Sequence, residues 1–137
     1  MKNKIFVDTD VVLDLLARRE PYYVPAARLF TLADQSKVQL YVSSLSFSNL
    51  HYLLTKQYSR EGSLKILRDF KVLVKVVGVD DKIIGLALNS AFTDFEDAVQ
   101  YYAALEENVS VLVTRNLRDY KEAGIPVLTA EGYLATR

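Results

Sequence analysis

The chain has 137 residues and no cysteine. That removes disulfides, thiolate metal sites and cysteine nucleophiles together. It has one histidine, His51, so a zinc site of the usual imidazole-rich kind has almost no ligands to draw on. A Ser-His-Asp triad would have to use that same ring, and its place in an apolar helical run favours a structural role. Charge of either sign is also missing in net terms: Lys plus Arg number 17 and Asp plus Glu number 17. The basic excess that usually accompanies tight non-specific nucleic-acid binding is therefore absent. No apolar run approaches the ~20 residues needed to span a bilayer. The run before Asp8 is too short for the apolar region of a signal peptide. The expectation is a soluble cytoplasmic protein with no membrane contact.

What is present describes a folded domain. Hydrophobic residues make up 50% and charged residues 25% of the chain. At this length a single domain spanning 1–137 buries a sizeable core. Ile5–Val7 reads as a buried strand, followed at once by a helix over Val11–Arg18 that ends at Arg19-Glu20-Pro21. Ala26, Leu29, Phe30 and Ala33 mark a second helix. A strand at Val38–Val42 leads through Ser43 or Ser44, as a cap, into a helix carrying Leu45, Leu50, Leu53 and Leu54. Further helices are expected over Glu61–Phe70, after Asp80, and over Phe95–Glu107 with Ala98, Tyr102 and Leu105 on its apolar side. Strands are expected at Lys75–Val77, Val109–Val113 and Ile125–Leu128, with a short helix Asn116–Ala123 stopped by Gly124 and a brief tail at the end. Strands alternate with helices and no tight hairpin turn joins two strands. That pattern predicts βαβ crossovers and a mostly parallel sheet covered on both faces.

In such a sheet every strand's C-terminal end lies on one edge, where ligands bind. Asp8 ends the first strand. Thr114-Arg115-Asn116 ends the fourth, with Asp119 just beyond, so Asp8, Thr114, Asn116 and Asp119 can meet there. Asp94 and Asp97 open a helix at i, i+3 and share a face. Carboxylates ~5 Å apart repel by roughly 3 kcal/mol per pair at an effective dielectric of about 20. A shared proton or a divalent cation relieves that. An all-oxygen set favours Mg2+ or Mn2+ over zinc, and such a site suits phosphodiester hydrolysis by a metal-bound water. On this reasoning Asp8→Asn or Asp97→Asn leaves the metal-free protein as stable or more stable. Taken singly, Asp94 reads as an N-cap, Asp119 as a surface charge, and Asp10 and Asp14 as helix-start and exposed acids.

Four stretches carry a resemblance that runs nearly end to end. They are Ile5-Phe6-Val7-Asp8-Thr9-Asp10 with Leu13-Asp14-Leu15-Leu16, Ser43-Ser44-Leu45-Ser46-Phe47-Ser48-Asn49-Leu50, Asp94-Phe95-Glu96-Asp97-Ala98, and Val113-Thr114-Arg115-Asn116-Leu117-Arg118-Asp119-Tyr120. In this order and spacing the chain resembles the PIN domain family, metal-dependent ribonucleases that include the toxins of many bacterial toxin–antitoxin pairs. The resemblance implies a three-layer α/β/α sandwich with a five-stranded, mostly parallel sheet. It implies an endoribonuclease using Mg2+ or Mn2+, an RNA substrate, an antitoxin partner and a homodimer. Carried over, Asp8 and Asp97 match catalytic, metal-binding acids, Asp119 or the Asn116 position matches the last acidic site, and Asp94 assists. Asn49, Thr114 and Asn116 line the site, and Arg115, Arg118 and Lys56 are candidates for holding the RNA backbone. Many family members have glutamate where this chain has Asn49, and some have aspartate at Asn116. A catalytically weak or inactive module binding nucleic acid or a protein is therefore the alternative. A third reading rests on Asp8-Thr9-Asp10-Val11-Val12, which fits the Asp-x-Asp pattern of aspartate-nucleophile phosphatases of the haloacid dehalogenase class.

Overall fold

The computed structural model describes residues 2–137. In chain order its elements are β1 (Asn3–Val7), α1 (Thr9–Leu16), α2 (Tyr23–Asp34), β2 (Val38–Ser43), α3 (Ser44–Leu54), α4 (Arg60–Lys71), β3 (Val74–Val77), α5 (Asp81–Leu88), α6 (Phe95–Glu106), β4 (Val111–Val113), a 3-10 turn at Leu117–Tyr120, β5 (Val127–Leu128) and α7 (Ala130–Leu134). The five strands form one sheet in the order β3-β2-β1-β4-β5, and every pairing is parallel.

Strand alternation divides the interior in two. Ile5 and Val7, Leu40 and Val42, and Val111 and Val113 face one core, which α1, α2, α3, α4 and α7 cover. Phe6, Tyr41 and Leu112 face the other, covered by α5 and α6. Both faces are therefore dry, which is why β1 and β4 read as unbroken apolar runs rather than alternating ones. Truncating a fully enclosed residue such as Leu40, 1% exposed, would cost about 2–5 kcal/mol.

The strand order has a mechanical consequence. The chain builds outward through β2 and β3 on one side of β1, then returns to build β4 and β5 on the other. The crevice between the C-terminal ends of β1 and β4 is thus the switch point where open α/β sheets take their ligands. The backbone closes there through the Asp8 amide, which donates to the Val113 carbonyl at 2.9 Å.

Three local expectations are corrected. On α6 it is Tyr101 that is buried, at 8% exposure, while Leu105 is 36% exposed. Packing against α5 and the sheet thus selects the stripe through Ala98, Tyr101 and Ala104 rather than that through Tyr102 and Leu105. The segment after Asn116 forms only a 3-10 turn, and Gly124 does not end a helix in a left-handed conformation. Its amide instead donates to the Tyr101 hydroxyl at 2.9 Å, and a Cβ there would stand 3.3 Å from that oxygen. The C-terminal tail is helical: Thr129 caps α7 by accepting from the Gly132 amide at 2.9 Å.

Candidate functional site

Asp8 is 6% exposed and follows β1 directly. It is also the N-cap of α1, so its carboxylate stands at the positive end of that helix. Each of its oxygens accepts twice. Oδ1 accepts from the Thr9 amide at 2.8 Å and from Gln100 Nε2 at 3.2 Å. Oδ2 accepts from the Thr114 hydroxyl and from the Tyr120 hydroxyl, each at 2.9 Å.

Beneath it lies a fully buried polar network. Gln100 Nε2 carries two protons and has three acceptors in reach, Asp8 Oδ1 and also Thr9 Oγ1 at 3.1 Å and Ser46 Oγ at 2.8 Å, while its Oε1 accepts from the Ser43 hydroxyl. Ser43 caps α3 by accepting from the Ser46 amide at 3.1 Å. The N-termini of α1 and α3 are thereby locked to the middle of α6, which fixes Asp8 rigidly. Such a network holds one arrangement because each buried group would lose a partner in any other.

Asp97 stands beside Asp8 across one shared hydroxyl: Tyr120 Oη lies 3.4 Å from Asp97 Oδ1. A hydroxyl carries one proton, so Tyr120 donates to Asp8, at the shorter distance, and Asp97 is the second acceptor in reach. Partial burial pushes the Asp97 carboxyl up to about 7, and repulsion from Asp8, Asp94, Asp119 and Glu96 adds to this. Burial, then the charges of Asp8 and Asp97, drive the Tyr120 phenol far above its ordinary value, so it stays a donor. Asp94 accepts from the Asp97 amide at 3.0 Å as the N-cap of α6, so its structural reading is correct, and its charge still acts on Asp97.

The other residues expected at the site divide between the crevice and its surroundings. Thr114 is fully buried and orients Asp8, while accepting from the Asn116 amide at 3.1 Å. Asn116 Nδ2 donates to Asp10 Oδ2 at 3.0 Å, and Asn49 Nδ2 donates to Glu96 Oε1 at 2.9 Å. Asp119 and Arg118 are exposed on the 3-10 turn. Lys56 is exposed at the far end of α3, its ammonium 4.7 Å from the centre of the Tyr52 ring. Arg115 turns away from the crevice: its Nε lies 2.9 Å from Asp14 Oδ2, off the line of its N–H, and its guanidinium stacks 4.1 Å over the Tyr22 ring. His51 Nδ1 pairs with Ser63 Oγ at 3.0 Å and ties α3 to α4, a structural role.

Two acids differ from expectation. Asp14 is 1% exposed rather than solvated, held between Arg19 at 3.0 Å and Arg115 at 2.9 Å. Burial raises its pKa and the two guanidiniums pull it back. Asp10 is more than a helix-start acid. Burial, then repulsion from Asp8, pushes its carboxyl up to about 7, and its Oδ1 is enclosed without a hydrogen-bond partner. Because α1 begins at Thr9, no extra turns separate Asp8 from the helix, which disfavours the phosphatase reading.

Gln100, Tyr120 and Glu96 escaped the sequence reading. Gln100 was readable as one polar side chain inside the otherwise apolar run Ala98–Ala104. Glu96 lies inside a quoted stretch, and burial, then Asp8, then Asp94 raise its pKa. Among the described residues no three acidic or imidazole side chains converge into a ready-made metal cage. No helix among them is long and apolar enough to cross a membrane.

A sequence model described as "PIN domain" matches residues 4–118. The chain is 25% identical to Ribonuclease VapC1 of Aquifex aeolicus (strain VF5) over 138 aligned positions, covering 95% of this chain and 92% of that one. Its fold matches a DNA-bound VapBC from Salmonella typhimurium with a TM-score of 0.70 at 19% identity, over 93% of this chain and 98% of that one. It also matches VapC20 of Mycobacterium tuberculosis, a Sarcin-Ricin loop cleaving toxin, with a TM-score of 0.63 at 18% identity, over 79% and 86% of the two chains.

Proposed function

Because the chain belongs to the PIN domain family, we propose that it is a divalent-metal-dependent endoribonuclease that hydrolyses RNA phosphodiester bonds, and the toxin of a toxin–antitoxin pair. The observation that carries this reading is the pairing of Asp8 with Asp97 across the Tyr120 hydroxyl at the switch point. Burial, then repulsion from Asp8, Asp94, Asp119 and Glu96, pushes Asp97 up to about 7, and a bound divalent ion would relieve that repulsion. The donors are all oxygens, which fits Mg2+ or Mn2+.

Asp8 and Asp97 would hold the ion, with Asp119 and the free oxygen of Asp94 completing its surroundings. A divalent ion there supplies an activated water and neutralises charge on the leaving oxygen. The protein's own contribution is positional. Thr114, Gln100 and the Thr9 amide fix the Asp8 carboxylate, so the ion's ligands need no rearrangement when substrate arrives. Glu96, oriented by Asn49, brings a carboxylate to the flank where many relatives carry glutamate on α3. Arg118 and Lys56 carry no ion pair among the described residues and are the cations proposed to hold the RNA backbone. Arg115, engaged by Asp14 and Tyr22, serves the scaffold instead. Single-stranded or looped RNA is the expected substrate, since a crevice must reach an exposed phosphodiester. Binding of an antitoxin is part of the same proposal, resting on likeness to the VapBC structures of Salmonella typhimurium and nontypeable Haemophilus influenzae, and homodimer formation rests on the family resemblance.

Cleavage of a panel of structured RNAs with Mg2+ or Mn2+ tests the reading. Wild type should cut while Asp8→Ala and Asp97→Ala do not. No metal-dependent cleavage by wild type that these variants lose would refute the enzyme. The neutral Asn49 and the absence of a three-acid cage among the described residues favour one second reading, a binding module without catalysis. RNA binding retained without Mn2+ binding in calorimetry would select it.

A further inference from the structure

Resting on the metal-site reading above, we propose that the Tyr120 hydroxyl is an exchangeable occupant of the cation position on Asp8. It is a positioning residue that holds Asp8 while the site is empty and re-aims to Asp97 when a divalent ion enters.

A carboxylate offers about four lone-pair sites. Each has a donor in reach on Asp8: on Oδ1 the Thr9 amide and Gln100, whose two protons are shared among three acceptors, and on Oδ2 Thr114 and Tyr120. A cation can reach this side chain only if a donor withdraws. The Thr9 amide belongs to the first residue of α1 and cannot leave without unwinding the helix. Gln100 is fully buried and is also held by Thr9, Ser43 and Ser46. Thr114 is fully buried and accepts from the Asn116 amide. Of the four donors only Tyr120 has a second carboxylate in reach, Asp97 Oδ1 at 3.4 Å.

Its geometry suits exchange. The ring is 2% exposed and packs edge-on against Phe92 with centroids 6.0 Å apart, so the oxygen stays in place. Rotation about the phenolic C–O bond alone moves the proton from Asp8 to Asp97. The lone pair freed on Asp8 Oδ2 would then be open to a cation. Tyr120 thus competes with the ion for Asp8, and in the ion's absence satisfies Asp8 Oδ2.

The test uses Tyr120→Phe, which keeps the ring and removes the hydroxyl, with Mn2+ alone as the probe. Calorimetric titration should show the variant binding Mn2+ about tenfold more tightly than wild type, equivalent to ~1.4 kcal/mol. With EDTA the variant should melt at a lower temperature than wild type. In wild type, Mn2+ should also perturb the near-ultraviolet tyrosine spectrum in proportion to occupancy, a measurement that needs no variant, and Tyr120→Phe should lose that change. Unchanged or weaker Mn2+ affinity in the variant, or a tyrosine spectrum indifferent to bound Mn2+, overturns the exchange while leaving the metal site standing. No Mn2+ binding by wild type overturns both.

Discussion

Replacing Asp8 by asparagine separates two views of this acid. If clustered charge dominates, the substitution is neutral or stabilising in metal-free protein. The structure reverses that expectation. Asp8 accepts four hydrogen bonds as a buried helix cap. A bond to a charged acceptor contributes roughly 1 kcal/mol more than one to a neutral acceptor, so the four together lose about 4 kcal/mol. Against this stands relief from Asp97. The two carboxylate oxygens flank one hydroxyl at 2.9 and 3.4 Å, which places them no more than about 6 Å apart, where full charges at an effective dielectric of about 20 repel by roughly 3 kcal/mol. With Asp97 titrating about 7, some half to three-quarters of that relief is available at about pH 7.5 and almost none at about pH 5.5. The net cost is then about 2 kcal/mol at the higher pH and about 4 kcal/mol at the lower. For 137 residues, 1 kcal/mol is roughly 3.5 °C of melting temperature. Asp8→Asn should therefore melt about 7 °C below wild type at pH 7.5 and about 14 °C below at pH 5.5, measured by circular dichroism with EDTA. An unchanged or higher melting temperature at pH 5.5 would refute the cap-and-network account.

Asp97 should behave oppositely. Its carboxyl is raised to about 7 in the folded protein from an ordinary 3.8, so the native state binds the proton more tightly. Stability contributed by that proton is complete below the unfolded value and is lost as pH rises through the folded one. Metal-free wild type should thus lose melting temperature between about pH 5 and pH 7.5, Asp97→Asn should reduce the loss to the share that Asp10, also raised to about 7, contributes, and a wild-type profile rising over that range would contradict the assignment. Asp14→Ala leaves two guanidiniums without their shared buried partner. Such a loss can reach about 3–5 kcal/mol, but Arg19 and Arg115 retain access to water, so about 2–3 kcal/mol, or roughly 7–10 °C, is expected in the same melts. Asn49→Glu sets a second carboxylate against Glu96, and should lower the EDTA melting temperature while tightening Mn2+ about tenfold in calorimetry through the added ligand charge.

The sheet was readable because both its faces are dry. Ile5–Val7 and Val111–Val113 are short, wholly apolar and bounded by polar residues, and the helices between strands leave parallel pairing as the consistent topology. Asp8 followed from the same logic, as the first polar residue beyond a central strand. Helix α7 was missed because five residues carry too little periodicity to register, although Thr129 was there as a cap. The tyrosine stripe on α6 was misread because Tyr101 and Tyr102 are equally apolar in sequence, and only packing against α5 and the sheet distinguishes them.

The site divides along a similar line. Position on the sheet edge was legible, whereas the partner of each acid was not, because partners come from elements distant in sequence. Asp14 sits among leucines of α1 and looks like any helix-surface acid until Arg115, from the loop after β4, closes over it. Asp8 looks like one of several repelling carboxylates until donors from α1, α6, the residue after β4 and the 3-10 turn surround it. This asymmetry among the acids bears on function. Asp8 is held by four donors and Asp97 by little more than a hydroxyl at 3.4 Å, so the charge is anchored at Asp8 and adjustable at Asp97. On the proposed metal-site reading, one fixed and one adjustable carboxylate across a single phenol would stay folded without a cation and still accept one, which two equally exposed acids at that spacing would do only at the cost of their mutual repulsion.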